Sequence, residues 1–195
     1  MDPKETERHV LSRISELLLS LPFDLKVLQE AAADLDLERG ARELAAGAIL
    51  YVLALHETEH GPLRYADDVL VVRAAFQRVR ELGGEGVGPF CARFTDIYDS
   101  LDEDVRLFQA ELGDIWTWLA GKVGTFPRLI YKGKHASHYI SDEPSLSLLY
   151  DEGLEFQTNY NVSEQQLSNK LRRSDQVVEI LQRRRVDESK KAKKI

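Results

Sequence analysis

The chain has 195 residues, 43% of them apolar and 30% charged, with a single cysteine, Cys91, and a formal net charge of −7. That length suits one ordinary domain with a sizeable core, or a core plus an arm. One cysteine excludes an intrachain disulfide framework and fits a reducing cytoplasm.

The charge is unevenly placed. Residues 164–195 carry ten Lys/Arg against five Asp/Glu, whereas residues 1–163 carry sixteen against twenty-eight. An acidic body with a basic tail disfavours nucleic acid as a partner, because phosphate neutralisation supplies most non-specific affinity. The N-terminal stretch through Val10 is charged and lacks the apolar centre of a signal peptide, and the apolar run Leu17–Phe23 is too short for one. The expected location is cytoplasmic, with no membrane span.

In chain order, Asp2-Pro3 places a cap and a first-turn proline before a helix over Lys4–Ser20, with Val10, Ile14, Leu17, Leu18 and Leu21 on one stripe. Pro22 is expected to break it, and a short helix over Asp24–Leu35 follows. Next come two apolar helices, from about Arg39 and from about Arg64 to Leu82, joined by a turn at His60-Gly61-Pro62. The run Leu44–Leu55 falls short of the roughly 20 residues that cross a bilayer, so it reads as a core helix. In the second helix Tyr65, Val69, Val72, Phe76 and Val79 follow the helical period, leaving Arg73, Gln77 and Arg80 on the wet face. The short connection predicts an antiparallel hairpin over 39–82 at the centre of the core.

Past the glycines at 83–88, Pro89 opens a helix carrying Phe90, Phe94, Ile97 and Tyr98. A capping box, Ser100 with Glu103, then starts a helix with Leu101, Val105, Phe108, Leu112, Ile115, Trp116, Leu119 and Val123 in line. From Thr125 the sequence mixes aromatic and basic residues without a period. Asp142-Glu143-Pro144 opens a short helix ending at Gly153, and Asn161 with Glu164 caps a helix to about Arg185. Its stripe, Leu167, Leu171, Val178 and Leu181, is interrupted by Ser174, and the lysine-rich end from Glu188 is expected to be disordered. The fold class is therefore all-α: a bundle of five or six helices around the hairpin, with a C-terminal helical arm and basic tail. The sequence divides into 1–125, the bundle; 126–160, an aromatic and basic connection; and 161–195, the arm.

Tyr51-Val52, then Gly61 and Tyr65-Ala66-Asp67-Asp68-Val69-Leu70-Val71-Val72, resemble the YkvA-like family of small helical domains of unknown function. Glu57 falls at that family's first turn aspartate, and Asp67-Asp68 fall on its paired aspartates. The resemblance covers residues 39–82 and implies a helical hairpin without an established activity.

His56-Glu57-Thr58-Glu59-His60 matches H-E-x-x-H, where two histidines on one helical face hold zinc and the glutamate activates its bound water. This gives the alternative reading, a zinc-dependent, metallopeptidase-like hydrolase with His56 and His60 as ligands, Glu57 as base, and Asp67 or Asp68 completing the site. Charged Glu59 disfavours it, as do Leu63 and Ala66 in the places of a downstream ligand motif. The preferred reading is a helix-end pair of histidines beside a glycine cap, with no catalysis, metal or cofactor. Asp67 reads as a helix-end charge and Asp68 as partly inward, within reach of Arg64. His135 and His138, among Lys132, Gly133 and Lys134, read as a solvated basic loop; a phosphate- or nucleic-acid-binding loop is the other reading, without a glycine-rich fingerprint before a helix. Cys91 reads as a packed thiol. The expected function is an adaptor or scaffold that binds a protein partner, or a second copy, through Lys170, Arg172, Arg173, Arg183, Arg184 and Arg185 on the arm.

Overall fold

A computed structural model describes residues 3–54, 61–171 and 174–192. The chain is all-α: among the described residues there are ten helices and one pair of two-residue strands, and no helix is long and apolar enough to cross a membrane.

The first helix, α1 (Pro3–Ala33), runs unbroken through Pro22. The expected Asp2 cap lies outside the described residues. A proline inside a helix removes one N–H and strands the carbonyl four residues earlier, here that of Leu18. The Tyr160 hydroxyl donates to that carbonyl, and Gln157 Nε2 donates to the Pro22 carbonyl at 3.3 Å. A distant segment thus supplies the hydrogen bond that Pro22 cannot, so the break expected at this position does not occur. The two helices read from the sequence are one, and Leu35, counted on its stripe, is solvent-exposed beyond its end.

Helices α2 (Arg39–Leu53) and α3 (Ala66–Leu82) pack on α1 and on each other. The Glu38 N–H donates to the Gly83 carbonyl at 3.2 Å, so α2 begins where α3 ends. Gly47 is required by a close approach: a Cβ there would stand 2.3 Å from the Phe126 carbonyl oxygen, in the turn Phe126–Arg128 that lies across α2. Every residue of α3 from Ala66 to Phe76 is buried. Arg73 is among them, which corrects its expected place on the wet face.

The single long helix expected from Ser100 to Val123 is two, α5 (Thr95–Leu112) and α6 (Asp114–Val123), separated by Gly113 at φ +49°, and preceded by the short α4 (Val87–Arg93). Ser100 is no cap. It sits inside α5, donating to the Ile97 carbonyl and accepting from Arg13. Strands β1 (Ile130–Tyr131) and β2 (Lys134–His135) form an antiparallel hairpin in the register Ile130 to His135 and Tyr131 to Lys134. The four-residue helix α7 (Ala136–Tyr139) leads to α8 (Glu143–Asn159), capped by Asp142, which accepts from the Ser145 N–H at 2.7 Å. Gly153 does not end α8; it is buried within it against the Gln29 side chain.

The arm comprises α9 (Glu164–Lys170) and α10 (Ser174–Ala192). The capping box that opens it is Ser163 with Gln166, in place of Asn161 with Glu164. The chain is helical through Ala192, which corrects the expected disorder from Glu188. One cluster of buried apolar side chains runs from Val10 on α1 to Leu181 on α10, and includes Phe126, Tyr139, Leu149, Leu167, Leu171 and Val177.

Candidate functional site

The acidic pair stands in the first turn of α3, just after the turn Pro62–Tyr65, where the positive end of a helix favours carboxylates. No side chain caps that end, which leaves Asp67 and Asp68 as its acidic groups. Both are buried, at 1% and 0% exposure. Asp67 is therefore no surface helix-end charge. Its Oδ2 accepts from the Tyr51 hydroxyl at 2.8 Å, and its Oδ1 pairs with the Arg184 guanidinium. Arg184 Nη2 donates in turn to the Arg64 carbonyl at 2.7 Å, so α10 is joined to the turn before α3 by backbone as well as by charge.

The network continues outward from Tyr51. Lys122 on α6 donates to the Tyr51 oxygen at 3.0 Å and pairs with Glu188 of α10 at 2.5 Å. The Tyr51 ring stacks on Phe126 with centroids 5.3 Å apart. Burial first, then the charges of Asp68 and Glu188, push the Tyr51 phenol far above its ordinary value against the opposing pull of Arg184. The phenol stays protonated and serves as a donor. Asp68 also raises Tyr65 and Tyr160, after the larger effect of their burial, which places its charge within reach of three tyrosines. The Arg64 guanidinium lies over the Tyr65 ring, 4.5 Å from its centroid.

A second buried set joins α1, α3 and α5. Arg73 Nη2 donates to Asp24 Oδ2 at 3.0 Å and its Nε lies 3.7 Å from Asp104 Oδ2. Arg13 grips the same Asp104 with two nitrogens, at 2.5 and 2.8 Å. Desolvation pushes Asp24 up to about 6, with Arg73 and the Ser20 hydroxyl opposing it, and lowers Arg73 from its ordinary value. The Asp104 hydrogen bond raises Arg13. Sequence reasoning missed this set, although a signal was present. Arg13, Asp24, Arg73 and Asp104 each fall three or four residues from the apolar members of its own stripe, on the face that turns inward.

The remaining sequence candidates are dispersed or outside view. His56, Glu57 and His60 lie outside the described residues, as do Arg172 and Arg173. No group of three or more His, Cys, Asp or Glu side chains among the described residues is arranged to hold a metal. Lys170, Arg183 and Arg185 are exposed, whereas Arg184, expected on the contact surface with them, is turned inward onto Asp67. Cys91 is half-buried, and burial pushes its thiol up. Chemically, the cluster at the start of α3 is a relay of donors and acceptors, buried at Tyr51, Asp67 and Arg184 and open to solvent at Glu188, suited to fixing α10 on the body. Comparison with protein families, with curated proteins and with solved structures finds no match to this chain.

Proposed function

We propose that the protein acts by binding another protein, as a helical adaptor without catalysis, and that the outer edge of its C-terminal arm is the contact surface. The observation that carries this is the alternation at Arg183-Arg184-Arg185. Arg184 is pinned inside on Asp67, so its two neighbours are held exposed on a helix of fixed orientation. Lys170 and Lys190 are exposed as well, Lys190 with Asp187 3.7 Å away, and Arg172 and Arg173 lie outside the described residues. An acidic partner surface is the complement of such an edge.

On this reading α2, α3 and the turn between them are the YkvA-like antiparallel hairpin at the centre of the bundle, and the location is cytoplasmic. The contact from Glu38 to Gly83 at one end and from Tyr51 to Asp67 at the other supports the hairpin. Burial of Asp67 and Asp68 supports the non-catalytic reading, since a substrate does not reach them. For the zinc hydrolase, the Arg184 guanidinium on Asp67 would have to leave before that carboxylate served a metal.

The test is the double charge reversal R183E/R185E. Its melting temperature should match that of the parent, and co-purification of the bound protein should be lost. Retained capture, or about one zinc per chain by elemental analysis in a protein that hydrolyses peptides, would overturn the reading.

A further inference from the structure

We infer that the cleft between the start of α2 and the β1–β2 hairpin binds a phosphate monoester. The cleft is shallow and open, with a volume of about 440 Å³. Arg39, Lys134, His135, Ser137, His138 and Ser141 line it, together with the turn glycine Gly133. No carboxylate lines it, in a chain where 33 acidic residues outnumber 26 basic ones. The protein has concentrated cationic and hydroxyl donors in one concave place against its own overall charge.

The local structure holds these groups in position. Lys132 and Gly133 both have positive φ, 47° and 78°, the two-residue turn that matches the twist of a tight hairpin. The hairpin is tied down from behind: Tyr131 donates to Glu152 at 3.0 Å, Lys132 pairs with the same carboxylate, and Tyr139 donates to the Tyr131 carbonyl at 3.2 Å. Lys134 is thereby set on the cleft side with no carboxylate partner among the described residues.

Hydrogen bonding fixes what His135 offers, whereas His138 Nε2 lies 3.3 Å from Ser145 Oγ. His135 Nδ1 lies 3.2 Å from the Arg128 carbonyl, which can only accept, so Nδ1 carries a proton and Nε2 becomes a second donor once the ring is protonated. Two carboxylates stand beside the lining, each next to one of its residues. Glu43 accepts from Arg39 Nε at 2.8 Å, and Asp142 caps α8, 3.2 Å from a Ser141 hydroxyl that donates to the His138 carbonyl at 2.7 Å. A guanidinium, an ammonium, the His135 imidazole and the Ser137 hydroxyl are a donor set that a tetrahedral dianion takes up, and a monoester leaves its organic group in the open mouth.

The experiment is calorimetric titration of the full chain with inorganic phosphate and with adenosine monophosphate, and co-sedimentation with vesicles containing phosphatidic acid. R39E changes an exposed side chain of the lining and K134E a half-buried one, and K26E makes the same charge change on exposed Lys26 of α1. Saturable binding is expected, weakened about tenfold or more by K134E or R39E and little by K26E, as for loss of a direct charge-assisted contact. Binding to vesicles alone would support the site and assign the ester to a lipid headgroup. Binding to the soluble esters alone would support it and assign a small metabolite. No saturable binding to any of them, or equal weakening by K26E and K134E, would overturn the inference.

Discussion

Asp67 shows how much one carboxylate decides here. With Asp67 and Arg184 at 1% and 9% side-chain exposure, removing one partner leaves a charge buried without its counter-ion. Asp67→Ala should cost about 3–5 kcal/mol in urea melts, and the double variant D67N/R184M should recover most of that, because replacing a whole buried pair is far less costly than breaking it. Equal losses in the single and double variants would show that the pair contributes nothing by itself. Asp24 makes a pH-dependent prediction. Its pKa is raised from 3.8 to about 6 in the folded chain, so the native state holds its proton more tightly than the unfolded one. The stability linked to that proton is fully present below about pH 4 and is lost as pH rises through about 6. Urea melts across that window should show stability falling with pH, and Asp24→Asn, neutral at every pH, should flatten the slope. At this scale the sequence was legible where period was followed in spite of charge, as for the inward place of Asp68. Asp67 and Arg73 were assigned to the surface because charge was weighed above position, and their counter-ions lie on helices remote in sequence.

Among the elements, helix existence was legible and helix ends were not. Apart from Leu35, which is exposed, and Val105, which is half-buried, the stripes on α1, α3, α5 and α6 name buried residues, because apolar spacing records the face that packs. Pro22, Ser100 and Asn161 misled because each carries a local signal that tertiary contacts or a stronger neighbouring cap override. Pro22 is the clearest case, since the acceptor it strands, the Leu18 carbonyl, is met by Tyr160 from beyond the end of α8. Tyr160→Phe should therefore cost about 1 kcal/mol, the usual net value of one hydrogen bond, rising toward 3 if the carbonyl is left dry. In a Pro22→Ala background the restored N–H can meet the same carbonyl, and the penalty for Tyr160→Phe should shrink. A double-mutant cycle read by denaturant melting checks this, and additive losses would mean that the tyrosine and the proline act independently.

For the whole molecule, the arm is the part that the sequence placed least well. Its stripe looked thin because a single helix was assumed through Ser174. Helix α9 ends at Lys170 and α10 runs from Ser174, with Val177, Ile180, Leu181 and Arg184 on its inner face. The basic arm was expected to contact another protein or a second copy, yet Arg184 of that arm pairs with Asp67 of the body, buried where salt screens it little. Cutting the chain after Tyr160 would remove Leu167, Leu171, Val177, Ile180 and Leu181 from the core. At roughly 1.5–3 kcal/mol for each buried aliphatic side chain, the loss is on the order of 10 kcal/mol. That is comparable with the whole stability of an ordinary domain, about 5–15 kcal/mol. The truncated chain should therefore lose its cooperative thermal transition by circular dichroism and elute as an expanded or aggregated species. R183E/R185E, which leaves the inner face intact, should melt like the parent at low and at high salt. A truncated body that melts cooperatively near the full-length temperature would show that α9 and α10 add little to the core, and that the arm is free to leave it.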